Sequence, residues 1–241
     1  MFRIIWRIGE QISILEVHFH SVTSTNEICL EKLEEKKYSS VLISSNSQTN
    51  GRGRNQNKWH SKEGNIYFSF GFIKDNLSEK IPLKTAVIVS DAIKDFFGID
   101  IQLKWPNDLA YKNKKIGGIL VESVNSDGKF FVVIGVGINL KLDALEAHWG
   151  DLNLTINEKE RLKFIKFVFK RLSKINEDNF LSDWKERWEK KCFHMNQEIL
   201  ILPDEKKGVF LCIDTSGRMI VQLDKEKKVF SSSEVKIRNA Y

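Results

Sequence analysis

No stretch of the 241-residue sequence is apolar for long enough to span a bilayer as a helix, so no membrane partner is expected. The opening Met1-Phe2-Arg3-Ile4-Ile5-Trp6-Arg7 lacks an extended apolar core followed by a small-residue cleavage site, which argues against a signal peptide. Cysteine is scarce. Cys29, Cys192 and Cys212 are odd in number and widely spaced, so a disulfide framework is not expected, and reduced thiols in a cytoplasmic protein are. The histidines show no metal-ligand spacing: His18 and His20 share one face of a predicted strand but have no cysteine nearby, and no metal-ligating set is expected. Internal repeats and low-complexity linkers are also missing. What remains, 41% hydrophobic and 29% charged residues, is the composition of an ordinary globular chain able to bury a sizeable core. The net charge of +6 would tolerate a nucleotide, a nucleic acid or an acidic protein, but the excess sits on scattered lysines and selects none of them.

One absence is local. Gln48-Thr49-Asn50-Gly51-Arg52-Gly53-Arg54-Asn55-Gln56-Asn57-Lys58-Trp59 contains no aliphatic side chain, so no core can hold it and a mobile surface loop is expected. Arg52 and Arg54 are two apart, so in an extended chain both guanidinium groups project to one side. Gly51 and Gly53 remove side-chain bulk and would let backbone N–H groups approach an anion. The arrangement suits a phosphate-bearing ligand, with Trp59 able to cover an aromatic ring; a solvated basic loop is the competing reading.

Around this loop the pattern alternates between strands and helices. Residues 12–20 read as a strand, and Ser24-Thr25-Asn26-Glu27 as a capping box for a helix running to about Lys36. Strands are predicted over 41–45 and 66–72, and an amphipathic helix over 82–97, with Leu83, Ala86, Val87, Ser90, Ile93, Phe96 and Phe97 as core and Pro82 in its first turn. Ile101–Trp105 reads as a strand ended by Pro106, with a turn at Asn107-Asp108. A polar hairpin turn over 111–115 leads into a strand over 116–124. Gly117 and Gly118 in that strand are costly unless something approaches the backbone, and Lys115 would then face it. Residues 130–140 read as a buried strand; its Gly135-Val136-Gly137 lacks both the third glycine and the helix of a dinucleotide fingerprint. Helical spacing follows over 158–191, interrupted at 176–178, with Trp184 and Trp188 as packing. After Cys192 come short strands over 198–202, 208–213, 219–223, 227–230 and 235–238, the pattern of a small β-barrel.

Ser24-Thr25-Asn26, then Gly51-Arg52-Gly53-Arg54 with Trp59, then Lys104-Trp105-Pro106-Asn107-Asp108, then Lys115-Ile116-Gly117-Gly118-Ile119-Leu120-Val121-Glu122, then Gly135-Val136-Gly137-Ile138-Asn139, occur in the order seen in biotin–protein ligases. The chain closely resembles that family over nearly its whole length, most specifically in the third and fourth motifs. The resemblance implies an α+β fold, a mixed β-sheet flanked by helices as in class II synthetase-like biotin ligase domains. It also implies a division into a catalytic domain over 1–192 and an SH3-like β-barrel over 193–241. Only 22 residues precede Thr23, too few for a helix-turn-helix, so a ligase without the repressor's DNA-binding domain is expected.

By resemblance, biotin attacks the α-phosphate of ATP to give biotinyl-5′-AMP and pyrophosphate, with magnesium expected. A lysine of a biotin carrier domain, that of acetyl-CoA carboxylase by the same resemblance, then takes the biotin and releases AMP. Ser24, Thr25, Asn26, Gln48, Gly51, Arg52, Lys115 and Gly118 would bind biotin; Arg52, Arg54, Trp59, Asn107, Lys115 and Asn139 would bind nucleotide. Lys115 would bridge the biotin carboxyl and the α-phosphate, Arg54 would clamp phosphate, and Asp108 would take the proton of the incoming amine. Lys104 would hold phosphate or Asp108. The loop would order when ligand binds. Two positions depart from the family's usual glycine, Gln56 and Ser233. Family members are monomers or homodimers. The rival readings are a lipoate–protein ligase, an adenylate-binding relative without activity, and a non-catalytic, basic nucleic-acid-binding protein. Against the last, the C-terminal strands carry no dense aromatic and basic face.

Overall fold

The computed structural model describes residues 2–8, 12–143, 148–177 and 179–238, with side chains from residue 14 onward. In chain order the elements are β1 (Phe2–Ile8), β2 (Ile12–Val22), α1 (Thr25–Glu34), β3 (Ser40–Gln48), a 3-10 turn (Arg54–Gln56), β4 (Ile66–Lys74) and α2 (Ile81–Phe97). There follow β5 (Gln102–Lys104), β6 (Asp108–Tyr111), β7 (Lys114–Ser126), β8 (Lys129–Ile138), α3 (Glu158–Leu172) and α4 (Trp184–Lys191). The last five are β9 (Glu198–Leu202), β10 (Lys206–Ile213), β11 (Met219–Leu223), β12 (Glu226–Phe230) and β13 (Lys236–Arg238). They form two compact units: Met1–Leu77 with Gly117–Asp143 and Asp151–Ser173, and Ser78–Ile116 with Ala144–Gly150 and Lys174–Tyr241.

The first unit is a mixed sheet in the order β1-β2-β3-β4-β8-β7, parallel only between β2 and β3. Successive side chains of a strand leave it on opposite faces, and β4 shows what each face receives. On one, Gly71 admits α1 so closely that a Cβ there would stand 2.5 Å from Leu33 and 2.7 Å from Cys29 Sγ. Leu15, Val17, Val41, Ile43, Phe131 and Val133 pack with these two residues. On the other face Phe70 meets Phe169 of α3 edge-on at 5.4 Å. The sheet is therefore flanked by a helix on each side, as the class expectation had it. α3 begins with a complete capping box, Asn157 accepting from the Glu160 N–H while Glu160 accepts from that of Asn157.

In the second unit β5 pairs antiparallel with β6, Lys104 opposite Asp108, across a turn formed by Trp105-Pro106-Asn107, whose Trp105–Pro106 peptide is cis. The predicted turn thus lies one residue earlier, and Asp108 opens a strand. α2 packs on α4, β5 and β6. Its expected core residues are buried except at the C-terminal end, where Phe96 is exposed and meets the Phe97 ring edge-on at 4.9 Å. The C-terminal strands form a five-stranded antiparallel sheet, β12-β11-β10-β9-β13, consistent with an SH3-like domain; among the described residues its edges, β12 and β13, are not closed into a barrel. Ser233 sits in a turn that closes without glycine, the Ser231 N–H donating to the Glu234 carboxylate at 2.7 Å. No helix of the described residues is long and apolar enough to cross a membrane.

Candidate active site

In the first unit the chemistry-bearing residues gather on the α1 face of the sheet, and glycines make the room. Gly118 and Gly137 are cross-strand partners on β7 and β8, and Gly135 lies two residues before Gly137. A Cβ at Gly135 would stand 2.2 Å from Asn26 Oδ1, and one at Gly137 would stand 2.7 Å from Trp59 Nε1. The paired glycines that failed as a dinucleotide fingerprint are thus the floor on which Asn26 and Trp59 lie.

Ser24 does not cap α1 in the way its spacing suggested. Its side chain makes no capping hydrogen bond, and the Glu27 carboxylate that would complete the box is engaged by the Thr23 hydroxyl at 2.7 Å. Ser24, Thr25 and Asn26 are all buried at this helix start. The Thr25 N–H and hydroxyl both donate to Gln48 Oε1, at 2.8 and 3.1 Å, and Gln48 Nε2 donates to Ser61 at 2.8 Å. Ser69 joins the set, its Oγ lying 2.8 Å from Thr25 Oγ1 and donating to Asn26 Oδ1 at 2.6 Å. Asn26 Nδ2 donates in turn to Glu122 Oε2 at 2.7 Å, and Arg52 Nη2 reaches the same oxygen at 3.3 Å.

The basic loop is a closed hairpin in this structure. Bridges join Gln48 to Ser61 and Arg52 to Lys58, and the Trp59 N–H donates to the Gly51 carbonyl at 2.9 Å. Two parts of the anion-cradle reasoning change accordingly. The Gly53 N–H is taken by the Asn57 carbonyl at 2.7 Å, so it does not point at a ligand. Gly51 is small for the hairpin's own sake, since a Cβ there would stand 2.5 Å from the Trp59 carbonyl oxygen and 2.6 Å from Ser61 Oγ. The chain is extended only as far as Gly53; Arg54 opens the 3-10 turn, so the two arginines do not sit on one continuous extended segment. Asn55 and Gln56 take φ of 54° and 60°, the left-handed region that favours glycine.

The second unit holds the other predicted residues. Lys115 Nζ lies 2.6 Å from Asp108 Oδ1 and 5.4 Å from the centre of the Trp149 ring. The Trp149 segment is fixed beside Lys115 by backbone bonds, Lys115 N–H to the His148 carbonyl at 3.1 Å and Gly150 N–H to the Lys115 carbonyl at 2.8 Å. Lys104 is only 7% exposed. Burial pulls its ammonium down to about 8; Asp108 opposes the shift and Lys115 adds to it. His194, buried and lowered to about 3 by desolvation and by Lys104, adds no charge near neutral pH. Lys115 is paired with Asp108, and Lys104, across the β5–β6 pair from that carboxylate, feels both charges, an excess of one positive charge suited to an arriving carboxylate or phosphate. Asn107 stands in the turn between Lys104 and Asp108. Asn139 is buried just past the end of β8 in the first unit, where its carbonyl accepts from the Leu152 N–H at 3.1 Å.

Ser24, Thr25, Asn26, Gln48, Gly51, Arg52, Arg54, Trp59, Gly118 and Asn139 thus belong to the first unit, and Lys104, Asn107, Asp108 and Lys115 to the second. Sequence reasoning missed three partners. Glu122 was quoted within a motif and given no role; Ser69 looked like one polar residue in an apolar strand; Trp149 lies in a segment without pattern. Only Glu122 carried a signal, as a carboxylate in a predicted strand. Among the described residues no group of three His, Cys, Asp or Glu side chains could hold a metal; His18 instead contacts Ser44 at 2.9 Å and His20 pairs with Glu63 at 3.3 Å.

Comparison with known proteins is consistent with these motifs. The biotin/lipoate A/B protein ligase family matches residues 18–139. The bifunctional ligase/repressor BirA of Escherichia coli K12 is 27% identical over 247 aligned positions, covering 96% of this chain and 75% of that protein. The BirA of Bacillus subtilis is 35% identical over 142 positions, 56% of this chain and 44% of the relative. Among solved structures, the biotin protein ligase of Aquifex aeolicus in complex with biotin and ATP superposes with a TM-score of 0.75 at 28% identity, covering 92% of this chain and 98% of that one.

Proposed function

The chain belongs to the biotin/lipoate A/B protein ligase family, and from that footing we infer that it is an ATP-dependent biotin–protein ligase. The observation that carries the chemistry is the Lys115–Asp108 ion pair with the buried Lys104 opposite Asp108 on the neighbouring strand, two cations about one carboxylate in a partly buried place. In the first half-reaction Lys115 leaves Asp108 for the biotin carboxylate and the α-phosphate it attacks, offsetting the charge that builds between them. Lys104 remains as the fixed cation, and Arg52 and Arg54 take phosphate oxygens. The products are biotinyl-5′-AMP and pyrophosphate. Release of Lys115 uncovers the Asp108 carboxylate, which in the second half-reaction accepts the proton of the attacking lysine amine, and AMP departs.

The Ser24–Asn26 set with Gln48, Gly51 and Gly118 is assigned to biotin, and Trp59, Asn107 and Asn139 to nucleotide. Closure of the 48–61 hairpin over the reactive anhydride excludes water. Magnesium is assigned only as companion of the nucleotide phosphates, the usual mode for that ion. The described residues assemble no cluster of three metal-ligating side chains for it, and none of these steps uses it. The acceptor is a biotin carrier domain, with that of acetyl-CoA carboxylase as first choice. The division into domains over 1–192 and 193–241 and a cytoplasmic location belong to the same proposal; the thiols of Cys29 and Cys192, buried and raised by desolvation, are compatible with it.

The test is transfer of biotin to a carrier domain in the presence of MgATP, with Lys115→Ala and lipoate in place of biotin alongside. ATP-dependent transfer lost in Lys115→Ala is the expected result. Transfer of lipoate in preference to biotin, or no adenylate with either acid, would overturn the assignment.

A further inference from the structure

We propose that Glu122 is a positioning residue that couples the phosphate loop to the biotin-head residues, holding Arg52 and Asn26 on one carboxylate oxygen. The proposal rests on the functional reading above and adds to it a residue that reading does not use.

The direction of the side chain follows from register. Glu122 pairs with Val133 across β7 and β8, and Val133 packs with Cys29 and Leu33 of α1, so Glu122 leaves the sheet on the face where α1 begins. There Oε2 accepts from Asn26 Nδ2 at 2.7 Å and from Arg52 Nη2 at 3.3 Å. The two bonds differ in kind. Asn26 is 5% exposed, and its other amide atom is fixed by Ser69 over bare Gly135, so it has nowhere else to go. The Arg52 and Glu122 side chains are 40% and 36% exposed, so their ion pair is screened and yields readily to a phosphate.

A ligand phosphate that draws Arg52 away leaves the whole carboxylate charge facing the Asn26 amide, and a charge-assisted bond tightens. Nucleotide binding therefore stiffens Asn26, and through Ser69 also Thr25, before or while biotin seats. By linkage biotin must favour nucleotide by the same factor.

The experiment measures biotin binding by calorimetry, with and without an ATP analogue carrying a methylene between the α and β phosphorus atoms, in wild type, Glu122→Gln and Glu122→Ala. Wild type is expected to bind biotin several-fold more tightly with the analogue present. Glu122→Gln keeps an acceptor for Asn26 but loses the charge. It should bind biotin alone within about threefold of wild type and lose the enhancement, whereas Glu122→Ala should weaken biotin about tenfold as well. A second readout needs no ligand: trypsin should cut after Arg52 faster in both variants, because each removes the ion pair that helps to hold the arginine. Retained enhancement in Glu122→Gln, or unchanged cleavage in both variants, overturns the coupling. A wild type that binds neither ligand would instead sink the ligase reading, and the cleavage rates would still decide the tether.

Discussion

A single methyl group placed on Gly135 should separate the biotin-head residues from their support. The Cβ of Gly135→Ala would stand 2.2 Å from Asn26 Oδ1, 2.9 Å from Cγ and 3.1 Å from Nδ2, so the whole carboxamide is in the way. Retreat to even 3.0 Å moves Oδ1 by about 0.8 Å, enough to stretch its 2.6 Å bond from Ser69 past the usual range for a hydroxyl donor and to draw Nδ2 from Glu122. Ser69 is fully buried and Asn26 nearly so, so neither regains water in exchange. Overpacking of this kind costs about 1–3 kcal/mol, and each buried group left unpaired about the same. A net loss of about 2 kcal/mol lowers the melting temperature of a chain this size by roughly 4–8 °C. Biotin affinity should fall by about tenfold or more, since the displaced amide belongs to the set assigned to the biotin head. Calorimetry and thermal unfolding of Gly135→Ala test both halves. A variant with wild-type melting and wild-type biotin affinity would refute the view that this glycine exists to seat Asn26. Normal affinity with lowered melting would confine its role to packing.

Lys104 and Gln56 carry two further expectations. The folded Lys104 ammonium titrates at about 8, below its ordinary 10.5. The cost of burying its charge is therefore present in full below about pH 8, and stability rises as pH climbs from about 8 toward 10.5, where the unfolded chain still binds the proton. If its charge holds phosphate, activity falls as pH rises through about 8, where the folded group gives up its proton. Lys104→Met should raise the urea midpoint at pH 7, by on the order of 3 kcal/mol in stability, while removing activity; a less stable variant that stays active contradicts the reasoning. Gln56 sits at φ 60°. Glycine there relieves about 1 kcal/mol of left-handed strain against an unfolded-state cost of about 0.4–1 kcal/mol, so Gln56→Gly should be neutral or slightly stabilising. Asn57→Gly, at φ −61°, gains no such relief and should speed hydrogen exchange at the Trp59 amide; equal exchange in the two variants would rule out strain as the reason for glycine at that position.

The departures from sequence reasoning have definite causes. Ser24-x-x-Glu27 has the spacing of a capping box, yet Thr23, one residue earlier, takes the glutamate, while an unremarked Asn157-x-x-Glu160 forms the full box on α3. Spacing states which partners are in reach, and competition among neighbours decides which pair forms. Gly53 was credited with an N–H for an anion; hairpin closure gave that N–H to Asn57. Phe96 satisfied helical periodicity but lies at the last turn of α2, where it is exposed.

What the sequence determined by itself was whatever is periodic or local. Alternation located β4, a polar turn marked the start of β7, a continuous apolar run located β8 and 3.6-residue spacing located α2 and α3, and the ordered motifs pointed to Lys115, Arg52 and Asn26 before any geometry was available. Tertiary structure alone decided the partnerships. Glu122 lies 70 residues from Arg52 and 96 from Asn26, Ser69 lies 43 from Asn26, and the purpose of Gly135 is visible only from the side chain that rests on it. The physical reason is that a strand's pattern fixes which face a residue occupies, whereas what meets that face depends on sheet order and helix placement, which arise only when the whole apolar surface is buried together.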